Sequence, residues 1–98
     1  MSVLDTIQAR REEIHAIAKK HNAEKLWVFG SVARREETPA SDIDILVKFT
    51  RPIGLFEYGH LQDELSSILG RNVDVVQNTV LFREPRFAAH VCPEAIQI

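Results

Sequence analysis

Apolar residues recur at helical spacing along the first twenty positions. Leu4, Ile7, Ile14, Ile17 and Ala18 make one stripe and predict a helix over Val3–His21. Ser2 with Asp5 three residues on resembles a capping box. Lys19, Lys20 and His21 place cations in the last turn, and Asn22 is a plausible stop. The pattern then shortens. Lys25–Phe29 reads Lys-Leu-Trp-Val-Phe and predicts a strand. Val32–Arg35 reads as a short helical stretch with Ser31 near its N-cap, and Glu36–Ser41, with Thr38 and Pro39, as a loop. Asp42–Phe49 alternates as a second strand, with Ile43, Ile45 and Val47 on one face and Asp42, Asp44 and Leu46 on the other. Beyond the loop Thr50–Gly54, Leu55–Leu69 regains helical spacing through Tyr58, Leu61, Leu65, Ile68 and Leu69, and Gly70 closes it. Asn72–Val76 is a third strand and Pro85–Val91 a short helix; Ala95–Ile98 shows no clear pattern.

The order α-β-(α)-β-α-β-α predicts an α/β (α+β) fold, a small mixed sheet flanked by helices. The helix between the second and third strands implies a right-handed crossover and parallel pairing. Parallel strands start at the same sheet edge, so Asp42 and Asp44 share that edge with Asp74, near the opening of the third strand. If the first strand runs antiparallel to the second, its end at Gly30-Ser31 arrives there too.

Composition narrows the classes. The 98 residues (11.2 kDa, 45% hydrophobic, 27% charged) suit one globular core, and a single domain over residues 1–98 is expected. The net charge of −2 and pI near 6.1 argue against direct nucleic-acid binding. The lone cysteine, Cys92, excludes an intrachain disulfide and suits a reducing, cytoplasmic setting. No apolar run approaches the roughly 20 residues of a membrane span, and charges from Asp5 onward leave no signal-peptide core.

The acidic positions change the picture. A Gly-Ser dipeptide alone is commonly a turn, and Asp-x-Asp is common in loops. An aspartate between Ile43 and Ile45, and another between Val73 and Val75, are unfavourable in short apolar strands unless they serve a purpose. Asp42 and Asp44, two apart, leave the same face. Clustered carboxylates repel unless cations neutralise them, and hard divalent ions, Mg²⁺ above all, suit all-oxygen ligands. Gly30 lets a phosphate approach the backbone, while Ser31 and the amides after it can donate to it. A Mg²⁺ site beside a phosphate cradle implies phosphoryl or nucleotidyl transfer with two ions, one at the attacking oxygen and one at the leaving pyrophosphate. Asp74 could ligate an ion, accept the nucleophile's proton, or both.

With these residues in view, the chain resembles the minimal nucleotidyltransferases of the DNA polymerase β-like superfamily. Gly30-Ser31-Val32-Ala33-Arg34 through Ser41-Asp42-Ile43-Asp44 is similar to that family's GSx₁₀DxD signature, and Leu69-Gly70-Arg71-Asn72-Val73-Asp74 to its third-aspartate strand. The resemblance implies that Asp42 and Asp44 bind Mg²⁺, that Asp74 completes the triad, and that Gly30 and Ser31 hold the triphosphate of ATP. It further implies an antitoxin that transfers AMP to a tyrosine hydroxyl of a cognate HEPN-domain ribonuclease toxin. Two alternatives stand beside it: an antitoxin that acts by binding alone with a vestigial site, and a small-molecule nucleotidyltransferase completed by a partner subunit. One departure is visible: Arg35 follows Arg34 where family members often carry Gly. The chain's length leaves little to hold an acceptor, which favours a protein acceptor that docks.

Other polar residues carry less. Arg34 and Arg35 lie close enough in sequence to the cradle to meet a triphosphate, with a solvated helix face an equal reading for Arg35, while Arg51, Arg71, Arg83 and Arg86 read as solvated, or as contacts for the partner or the nucleotide. His15, His21, His60 and His90 lack metal-ligand spacing and read as surface or helix-end residues. Trp27 and Phe29 alternate within a strand and read as core.

Overall fold

The computed structural model describes residues 2–78, Arg86 and residues 94–98. The amino-terminal stripe forms two helices rather than one: α1 (Val3–Ala9) and α2 (Arg11–Lys20). They part at Arg10, with φ −103° and ψ 19°. The stripe has no apolar side chain between Ile7 and Ile14, so the turn carrying Arg10 and Arg11 has nothing to bury and both arginines stay exposed. The capping box is present: the Asp5 amide donates to Ser2 Oγ (3.3 Å) and the Ser2 amide to Asp5 Oδ2 (3.0 Å).

Asn22 ends this region in the left-handed conformation (φ 63°), and β1 (Ala23–Phe29) starts two residues ahead of the expected Lys25. The next helix, α3 (Gly30–Ala33), also lies two residues early, and its N-cap position is Phe29 rather than Ser31. Gly30 explains the shift: at φ 74° it turns the chain out of the strand at once. β2 (Ile43–Phe49) leaves Asp42 just outside the strand. α4 (Leu55–Leu69) has the expected bounds and ends on Gly70 at φ 67°. β3 (Val73–Gln77) sits one residue later than expected. The patternless tail contributes β4 (Ile96–Gln97). The helix expected over Pro85–Val91 falls, Arg86 apart, outside the described residues, as do Arg83, His90 and Cys92.

The four described strands lie in the order β3-β2-β1-β4, with β2–β3 parallel and both β1–β2 and β1–β4 antiparallel. The mixed sheet has the connectivity that the crossover argument requires. One face carries the main core, where Leu26, Val28, Ile43, Ile45, Val47, Val73 and Val75 meet Ile7, Ile14, Val32, Leu61 and Leu65 from the helices. The other carries a smaller cluster of Phe29 and Leu46, flanked by Trp27, Val76 and Ala95.

The outer edge of β3 is closed by one stripe of α4. Gln62 Oε1 accepts from the Val75 amide (3.0 Å), Ser66 Oγ accepts from the Val73 amide (2.9 Å), and the Tyr58 hydroxyl donates to the Val75 carbonyl. Residues 58, 62 and 66 are four apart, so successive turns of one helix face satisfy the strand's free groups. His21 is a helix-end residue but a buried one. Its Nε2 lies 3.2 Å from Glu64 Oε1, joining the end of α2 to α4. Among the described residues no helix is long and apolar enough to cross a membrane.

Candidate active site

Strand register assembles the site. Asp44 pairs across β1–β2 with Phe29, the residue before Gly30, and across β2–β3 with Asp74. The end of β1, the start of β2 and the start of β3 therefore meet at one sheet edge, and Asp44 stands in the middle. Asp42 lies two residues upstream, exposed, at the end of the loop that enters β2. That loop is held by Arg71, whose Nη1 donates to the Thr38 and Ser41 carbonyls (2.9 Å each). Arg71 thus fixes the approach to Asp42, a role its isolated place in the sequence did not announce. Asp42 also borders an open cleft of about 570 Å³ whose other walls include Asp63, Ser67 and Arg71.

Gly30 fits here for two reasons. Its φ of 74° is a left-handed conformation that disfavours side chains. A Cβ at this position would also lie 2.5 Å from Asp44 Oδ2, closer than any real contact. The α3 amides that follow lack intrahelical partners at a helix start and can receive an anion. Ser31, half-buried, is the second residue of this turn, and its carbonyl accepts from the Glu36 amide (2.8 Å).

Electrostatics mark Asp44 as a carboxylate short of positive charge. Burial raises its pKa, and the like charges of Asp74 and Asp42 raise it further; Arg34 opposes them. Among the described residues, no three His, Cys, Asp or Glu side chains stand close enough together, as placed, to hold a metal ion. The donor set nonetheless fits a hard divalent cation. It is all carboxylate oxygen, and the charge that disfavours ionised Asp44 is the charge such a cation would neutralise.

Arg34 lies at the end of α3, where its amide donates to the Gly30 carbonyl (3.2 Å). Its guanidinium is engaged: Nε donates to Glu36 Oε2 (3.1 Å) and Nη1 to Glu94 Oε2 (2.7 Å). Those bonds, Glu94's foremost, hold its pKa above the ordinary value. Glu94 also adds to the negative field on Asp44. Sequence reasoning missed Glu94, because a strand of two residues in the tail has no periodicity to read. Arg35 points elsewhere. Its backbone takes φ 58°, the conformation the family's glycine would supply, and its guanidinium binds Ser2 Oγ (2.5 Å) and Asp5 Oδ1 (3.2 Å).

Comparison with known proteins identifies the family. Residues 12–98 match the family model described as polymerase beta, nucleotidyltransferase, and the chain belongs to that family of enzymes. A protein of Methanocaldococcus jannaschii named as a candidate protein adenylyltransferase is 34% identical over 88 residues, covering 90% of this chain and 92% of the relative. A solved structure described as a candidate minimal nucleotidyltransferase superposes with a TM-score of 0.80 at 40% identity, covering 98% of this chain and 95% of the other. At 21% identity, the fold alone is shared with the MNT antitoxin of Shewanella oneidensis, solved with its tri-AMPylated HEPN toxin (TM-score 0.65; 92% of this chain, 69% of the other).

Proposed function

We propose that this nucleotidyltransferase is an antitoxin that moves AMP from ATP, with Mg²⁺, onto a tyrosine hydroxyl of a HEPN-domain toxin. The observation that carries the reading is the packing of Gly30 against Asp44 in register with Asp74, which sets a phosphate cradle beside two carboxylates from neighbouring strands. The name of the M. jannaschii relative supports a protein acceptor, and the AMPylated HEPN toxin bound to a fold neighbour supports the partner class.

In this reading Gly30 and Ser31 hold the triphosphate through the backbone and the serine hydroxyl. Asp42 and Asp44 would hold Mg²⁺, with Asp74 completing the triad; the ions would supply Lewis-acid stabilisation at the attacking and leaving oxygens. Asp74, exposed at the strand start, accepts the acceptor's proton. The hydroxyl oxygen forms a bond to the α-phosphorus, the bond from that phosphorus to the β-phosphate oxygen breaks, and pyrophosphate leaves. A nucleotide held this way would lie on the sheet's rim, open to a docking protein.

The test is incubation with labelled ATP, Mg²⁺ and the cognate HEPN protein. Wild type is expected to label the partner at tyrosine, and Asp42→Ala/Asp44→Ala is expected to lose the label. Absence of transfer by wild type overturns the reading. Full neutralisation by the unlabelled double variant would show an antitoxin that acts by binding alone.

A further inference from the structure

Arg34 is the cation nearest the phosphate cradle in sequence, yet its charge is already taken. Glu36 is two residues away and travels with it; Glu94 is sixty residues away and has been brought there by the fold. Its placement is anchored. Just beyond it, Ile96 and Gln97 pair with Val28 and Trp27, and the Ile98 amide donates to the Leu26 carbonyl (3.1 Å). Ile98 is itself part of the main core. The Glu94 side chain is 23% exposed, against 44% for Arg34, so the carboxylate is the more enclosed of the two. Glu94 acts on Asp44 as well, as a like charge that raises its pKa.

We infer that Glu94 is a positioning residue that holds Arg34 in reserve, and that the incoming triphosphate of the nucleotide takes its place on the guanidinium. This rests on the proposed site at Gly30 and Ser31. Arg34 has five N–H donors, two of them used in the bonds to Glu36 and Glu94. A phosphate could reach the others, but it would then crowd with two carboxylates around one positive charge. Exchange relieves that crowding: the phosphate gains the guanidinium, and Glu94 turns to solvent. A nucleotide monophosphate, which lacks the β- and γ-phosphates, competes less well for Arg34, so the exchange favours triphosphates.

The test is a double-variant cycle read by binding of a fluorescent ATP analogue in the presence of Mg²⁺. Glu94→Gln keeps the shape and removes the charge. It is expected to tighten ATP binding about 3–5-fold, the range set by losing a partly exposed competing ion pair. AMP binding should change less. Arg34→Gln is expected to weaken ATP binding, and Glu94→Gln should give no gain in the Arg34→Gln background. A structural role for Glu94 would lower the melting temperature without this Arg34-dependent gain. Unchanged or weaker ATP binding in Glu94→Gln overturns the inference, as does a gain that persists without Arg34. If wild type binds ATP and labels the partner while Glu94→Gln shows no gain, the exchange fails and the proposed function stands. If wild type binds no ATP, both fail.

Discussion

Single residues carry most of the site's chemistry. Gly30 reads as the proposed cradle glycine because ten residues separate Gly30-Ser31 from Asp42-Ile43-Asp44. Its second constraint, the carboxylate 2.5 Å from where a Cβ would be, needed strand pairing that spacing alone does not give. Gly30→Ala must therefore either displace Asp44 or distort the turn. It is expected to destabilise the fold by about 1–2 kcal/mol, the usual cost of a side chain in the left-handed region. It should also reduce nucleotidyl transfer at least ~100-fold, as expected when reacting groups are misplaced; denaturant unfolding and a transfer assay check the two parts. Asp44 gives a second prediction. Because its pKa is raised in the fold, the folded state holds the proton more tightly than the unfolded chain, so ionised Asp44 costs stability at neutral pH. Asp44→Asn should raise the metal-free melting temperature by a few degrees, whereas Mg²⁺ should raise that of wild type and leave the variant nearly unmoved. Equal Mg²⁺ shifts in the two proteins would count against Asp44 as a ligand.

At the level of elements, apolar stripes were a sound guide where they were dense and failed where they thinned. α4 took its expected bounds because five apolar residues and Gly70 define it. The amino-terminal helix split at Arg10, where the stripe has a gap. α3 moved because a glycine at positive φ can begin a turn without a capping side chain. The capping box of α1 was readable, but the sequence could not show that Asp5 would also receive Arg35 from across the fold. That pair, led by the Arg35 hydrogen bond and followed by the Ser2 bonds, lowers the Asp5 pKa from 3.8 to about 2. A carboxylate with a depressed folded pKa adds stability above its unfolded pKa and loses it as pH falls through the folded one. Wild type is thus expected to melt above Asp5→Asn at pH 5, with the gap closing between pH 3.8 and about 2. Melting curves across that range decide it; a gap that persists at pH 2 would show that the side chain's shape, not its charge, matters.

For the whole molecule, the sheet order β3-β2-β1-β4 explains why distant segments meet. Antiparallel and parallel neighbours of β2 bring the end of one strand and the start of another to the same rim. That much followed from a crossover rule and two stretches of alternation. The fourth strand did not follow, since two residues beside a patternless tail carry no period, yet Ile98 beyond it completes the core. Ile98→Ala should cost about 2–4 kcal/mol by opening a cavity in that core. It should also loosen the anchoring of Glu94, so its effect on nucleotide binding is expected to have the same sign as that of Glu94→Gln. Chemical unfolding and the fluorescent-ATP titration measure the two consequences.

The seal that α4 places on β3 bears on fidelity. Tyr58 is the chain's one tyrosine, and its hydroxyl is committed to the Val75 carbonyl while burial raises its pKa. If the acceptor is a tyrosine, as proposed above, the chain's own phenol competes poorly for the transfer, because its hydroxyl is held on a backbone carbonyl. Self-labelling would require the oxygen to leave its acceptor, shed a proton it holds more tightly than usual, and abandon the strand edge it protects. Under the proposed function, the same contact that finishes the sheet would guard the catalyst against labelling itself.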